Sequence, residues 1–225
     1  MNRLVSEGIG TFIIVFAGTG AIVINDLTQG AITPVGIALT FGLSVFVMIQ
    51  SFGWVSGGHF NPAVSLAMVA MGKLELLWAP GYLLAQGTGA LLASFLLKYL
   101  FPFHPTLGAT VPIGSEMQSL ILEFILGFIL MISVIGCCNS PDSATLLAPA
   151  IGGMIGMEAL FAGPISGASM NPARSLAPAL VSGHLNFLWI YFVGPIAGAL
   201  GAVFVARCVF KDNPRLKANA GESIP

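Results

Sequence analysis

The sequence predicts an all-α membrane protein, a bundle of six transmembrane helices plus two half-helices arranged as inverted three-span repeats. Three observations predict it. Hydrophobic residues make up 56% of the 225 and charged residues 8%, with a mean hydropathy of +0.93; this leaves too little polar surface for a water-soluble globule. Apolar stretches long enough to cross a hydrocarbon core of about 30 Å fall at 4–24, 33–53, 76–101, 117–138, 144–163 and 187–210. A short motif, Asn-Pro-Ala, stands at 61–63 and again at 171–173, each time opening a stretch of helix formers too short to span.

The first span, 4–24, follows Arg3 like the core of a signal peptide, but it is longer than such a core and has no convincing cleavage site. It reads as a retained helix. With six spans both termini share a side. Arg3, Lys73, Arg207, Lys211, Arg215 and Lys217 then lie together, six of eight cations, and the positive-inside rule makes that side cytoplasmic. A multi-pass protein of the cell (inner) membrane is expected. Lys98 falls outside and Arg174 within the membrane region. The net charge of −1 gives no basic surface for nucleic acid. Cys137, Cys138 and Cys208 lack metal-ligand spacing and read as filler. No nucleophile–base pair, metal cluster or phosphate loop is visible, so neither an enzyme nor a cofactor is expected.

The two halves resemble each other. Ser166–Leu180 nearly copies the stretch beginning at Gly57, Glu7 matches Glu123, and Gln86-Gly-Thr-Gly-Ala echoes Pro195-Ile-Ala-Gly-Ala. A repeat of three spans must lie upside down relative to its copy. The chain thus reads as a single channel domain, 1–105 being one repeat and 106–225 the other plus a short tail. Small residues such as Gly194, Gly198 and Ala202 recur at spacings that let helix backbones approach.

The half-helices, about 62–71 and 172–180, enter from opposite faces and meet N-terminus to N-terminus. Asn61 and Asn171 occupy N-cap positions, where the side-chain oxygen accepts from the first backbone N–H groups and leaves the amide NH₂ as a fixed donor. Pro62 and Pro172 preset φ at the first helical position, and Ala63 and Ala173 follow. Opposed helix N-termini place about half a positive charge each at the midplane, which disfavours cations, hydronium included.

These features together resemble the aquaporin (major intrinsic protein) family: twin Asn-Pro-Ala motifs, the two glutamates, Ala85-Gln86 with Gly89-Ala90, and Val193-Gly194-Pro195. The resemblance implies a right-handed bundle of six tilted helices and two half-helices, assembled as a homotetramer with a pore in every protomer. It also implies a constriction outside the midplane built from Phe41, Ala159, Ala168 and Arg174. In strict water channels the position of Ala159 is usually His, so a wider and less polar opening is expected. Small residues there and at Ala168 resemble the plant nodulin-26-like branch. Ser175 stands where glycerol channels usually carry Asp, and Ala179 with Tyr191-Phe192 resembles the water-channel side.

By the same resemblance Glu7 and Glu123 bond the backbone of the half-helix loops, and His59 supports or lines the pore loop. Glu158 is expected to turn off the pore face toward a neighbouring span or a tetramer contact, the alternative being a pore-lining polar group, and His104 and His184 are expected to face solvent. The expected function is passive water conduction that excludes protons and ions. The alternative is a broader facilitator of small neutral solutes such as glycerol, ammonia or neutral metalloid acids. A coupled transporter could also use inverted repeats and broken helices but would need a coupling-ion site, and a membrane-junction protein would conduct nothing and would pair membranes. Short termini and the short polar stretch 139–143 point to a bacterial channel.

Overall fold

The computed structural model describes residues 1–140 and 142–210. Six long helices carry the apolar stretches: α1 (Asn2–Leu27), α2 (Thr33–Ser56), α4 (Ala79–Leu100), α5 (Glu116–Asn139), α6 (Ser143–Ser166) and α8 (Ile190–Val209). Each is long and apolar enough to cross a membrane. Two short helices, α3 (Pro62–Ala70) and α7 (Pro172–Ser182), follow α2 and α6. α1, α2, α5 and α6 overrun their apolar stretches, because backbone hydrogen bonding continues past the last apolar side chain until a residue that stops it, whereas α4 and α8 begin later and end earlier than theirs. In α2 and α6 that residue is Gly57 or Gly167, left-handed at φ 89 and 85.

Packing pairs α1 with α4 and α2, α5 with α8 and α6, and α2 with α6. Glycine makes these contacts close. A Cβ on Gly89 would overlap the Gly8 carbonyl oxygen, and one on Gly198 the Phe124 carbonyl oxygen, so α4 meets α1 and α8 meets α5 backbone to backbone. The exposed large side chains, Leu39, Leu43, Phe95 and Phe204 among them, are apolar and lie on the spans, as lipid-facing surfaces require.

The chain alternates between two faces. One, the termini face, carries Met1, the 71–78 connection, the end of α5 at Asn139 and the end of α8 at Val209. The opposite face carries 28–32, 101–115 and 183–189. Arg3 and Lys73 lie toward the termini face, and Arg207, in the last turn of α8, donates to the Ala70 carbonyl (2.6 Å). Lys211, Arg215 and Lys217 lie outside the described residues.

Candidate functional site

The half-helices begin with the same cap. Asn61 Oδ1 accepts from the Ala63 N–H (2.8 Å); Asn171 Oδ1 accepts from the N–H groups of Ala173 (3.0 Å) and Arg174 (3.3 Å). The amides then cross between halves: Asn61 Nδ2 donates to the Met170 carbonyl (2.8 Å) and Asn171 Nδ2 to the Phe60 carbonyl (2.9 Å). Each NH₂ carries two hydrogens, so the sequence expectation of a free donor is halved: one hydrogen fixes the partner loop and one remains. Phe60 and Met170 reach these positions in left-handed conformations, φ 47 and 56, an unfavourable state for large side chains that the surrounding bonds must hold.

Two buried carboxylates supply that hold. Glu7 accepts from Ser56 Oγ (2.7 Å), the N–H groups of His59 (3.0 Å) and Phe60 (2.7 Å), and Gln86 Nε2 (2.8 Å). Glu123 accepts from Ser166 Oγ (2.8 Å) and the N–H groups of Ser169 (2.8 Å) and Met170 (2.9 Å). Both are fully buried. Pro195, which echoes Gln86 in the sequence, offers no side-chain donor, so Glu123 has one partner fewer.

Sequence reasoning missed the rest of this scaffold. Tyr82 donates to the Ser56 carbonyl and Tyr191 to the Ser166 carbonyl, both at 2.7 Å. His59 Nδ1 pairs with Ser65 Oγ (3.1 Å), and at matching positions Ser169 Oγ pairs with Ser175 Oγ (2.5 Å). The signal was present in the constant offset between halves: Ser56 to Ser166 and Ser65 to Ser175 repeat the spacing of Asn61 to Asn171.

Against the two loops lies a cavity of about 60 Å³, room for about four waters. The loop residues, with His59, Asn61 and Asn171, form its polar side; Ile14, Val45, Ile49, Leu130 and Ile151 stand among its apolar side. It runs from Cys138 and Leu147 toward the termini face to Phe41 and Arg174 toward the other. Arg174 is 2% exposed, donates from Nη1 to the Gly108 carbonyl (2.8 Å), and sets its guanidinium carbon 5.1 Å from the Phe41 ring centre. Pro62, Ala63, Pro172 and Ala173 sit behind the asparagines and are not in the lining.

Residues 1–206 match the model of the major intrinsic protein family. The chain belongs to that family, the aquaporins. It is therefore a multi-pass membrane protein of a channel family for water and small neutral solutes. It is similar to Aquaporin NIP1-1 of Zea mays, 42% identical over 219 residues, covering 96% of this chain and 78% of the relative. It is also similar to Nodulin-26 of Glycine max, 39% identical over 217 residues, covering 95% and 80%. These relatives are plant proteins and lend no support to a bacterial source. The fold is that of the X-ray structure of the aquaglyceroporin from Plasmodium falciparum, with TM-score 0.85, 23% identity, and 96% and 98% of the two chains covered.

Of the four filter positions carried over from the aquaporin family, Phe41, Ala168 and Arg174 line the cavity and Ala159 does not. Ala159 follows Ile155, which lines the cavity, by one turn of α6. Ser175 faces away, bonded to Thr110 Oγ1 (2.8 Å). Two expectations need correction. Glu158 does not line the cavity, but it makes neither of the contacts expected of it. It is fully buried and, among the described residues, both carboxyl oxygens are without a hydrogen-bond partner, so it is neither a lipid-side contact nor hydrogen-bonded to a neighbouring span. His104 does not face solvent but is 5% exposed; His184 is exposed and pairs with Ser182 (3.0 Å).

Proposed function

We propose that the chain is a passive, bidirectional water channel that excludes protons and ions, with one pore in each protomer of a homotetramer. The reading is carried by one observation: a single narrow cavity passes both Asn61 and Asn171 and ends at Arg174 and Phe41. Water in such a cavity binds along one polar side and slides on the apolar one. The half-helix N-termini and the Arg174 guanidinium put fixed positive charge along its length, which opposes cations.

In this reading Phe41, Ala159, Ala168 and Arg174 form the selectivity filter, Glu7, Glu123 and His59 support the pore loops, and residues 1–105 and 106–225 are the inverted repeats. The termini are cytoplasmic and the membrane is the cell membrane, on the strength of the cation distribution.

Stopped-flow light scattering on reconstituted vesicles tests the function. Water permeability well above that of empty vesicles is expected, and equality with them would refute it.

A second reading, facilitation of small neutral solutes, is favoured by the missing side chain at Ala159 and by the likeness to nodulin-26-type relatives. Isotonic solute uptake separates the two. Ala159→His should lower glycerol uptake about tenfold, a margin set by lost space and an added donor, while water flux changes little. Unchanged uptake would remove Ala159 from the filter.

A further inference from the structure

The segment 101–115 is built as a chain of contacts ending on the filter arginine. Leu107 and Gly108 are consecutive left-handed residues, φ 52 and 73, and Leu107 is fully buried. Such a kink at a leucine needs something to hold it. The Leu107 N–H donates to His104 Nδ1 (3.0 Å). His104 Nε2 lies 3.3 Å from Asp26 Oδ2 at the end of α1, and the imidazole is 3% exposed against 52% for the carboxylate. Gly108 then packs on Thr19 of α1 and offers its carbonyl to Arg174 Nη1 at 2.8 Å.

The two partners of the imidazole make opposite demands. A backbone N–H can only donate, so Nδ1 must be bare; the Asp26 carboxylate can only accept, so Nε2 must carry the proton. Only the neutral ring in one tautomer satisfies both. A second proton would turn Nδ1 into a donor facing the buried Leu107 N–H. Among the described residues, the other charged groups beside the segment are Lys98 of α4, whose ammonium donates to the Pro102 carbonyl (2.8 Å), Glu116 in the first turn of α5, and Arg174 itself.

We propose that His104 is a positioning residue for the filter. Its neutral ring holds the Leu107–Gly108 kink that keeps the Gly108 carbonyl on Arg174, and protonation of the ring releases that hold and lowers permeation. Arg174 makes no other side-chain hydrogen bond among the described residues, and its Nε is without a partner. A guanidinium freed from Gly108 has the cavity it borders as its nearest open space. The proposal rests on the water-channel reading.

The test is water permeability of vesicles carrying wild type, His104→Asn, His104→Ala or His184→Asn, at about pH 7.5 and about pH 5. Wild type should lose about threefold on acidification, the population change that loss of one hydrogen bond brings. An Asn oxygen at 104 can accept from the N–H three residues on, as it does at helix caps, and does not titrate. His104→Asn should therefore match wild type at the upper pH and stay flat. His104→Ala should be low at both values, and His184→Asn should keep the wild-type fall. A flat wild type, or a fall that survives in His104→Asn, overturns the proposal while leaving the channel intact. Flux no higher than in empty vesicles at either pH removes the channel reading itself.

Discussion

Glu123→Ala is expected to abolish water flux and to lower the thermal unfolding temperature in detergent. Three donors converge on this carboxylate, and two of them are backbone N–H groups of Ser169 and Met170, which are 4% and 2% exposed. Leaving a buried donor unpaired costs about 1–3 kcal/mol, so about 2–6 kcal/mol is at stake in the two backbone groups of one loop. That loop carries Met170, whose carbonyl receives the Asn61 amide, so the damage reaches the other half-helix. Glu123→Gln keeps one acceptor oxygen and should fall between the two. Wild-type permeability in Glu123→Ala would show that the loop holds itself.

Gly18→Ala should cut water permeability about tenfold, the scale of overpacking by one methyl in a tight site. A Cβ at position 18 would overlap the Phe41 ring. Behind the ring is α1 and in front is the cavity, so the ring can yield only into the lumen. Shortening the ring should undo the block: Gly18→Ala combined with Phe41→Leu is expected to conduct more than Gly18→Ala alone, a non-additivity that reports direct contact. If Gly18→Ala conducts like wild type, the ring has another way out.

The fold was almost entirely legible. Six apolar runs and two capped half-length helices follow from local composition and from the chemistry of Asn and Pro, and both are properties of short stretches. The carboxylates Glu7 and Glu123 were legible for a related reason, since an acid in a span has to find donors and the Gly-rich loops supply them. What escaped were contacts set by three-dimensional neighbourhood. His104 looked like a loop residue facing water, and only the fold of 101–115 back over α1 and α7 buries it. Gly18 was one glycine among 28, and nothing local to it announces that Phe41 lies against it. Ala159 came from the family resemblance, which gives a place along α6 and not which side chains border the cavity.

The crossed amide bonds have a consequence for how the pore is made. Asn61 and Phe60 find their partners 109 and 111 residues further on, beyond three more spanning helices. While the first half of the chain is being inserted, its half-helix carries a carbonyl and an amide with no protein partner, in a region where lipid offers none. The two halves therefore complete each other at the moment the second loop arrives, and the passage exists only from then on. Until the second loop is in place, the Asn61 amide and the Phe60 carbonyl lack the partners that the finished fold gives them.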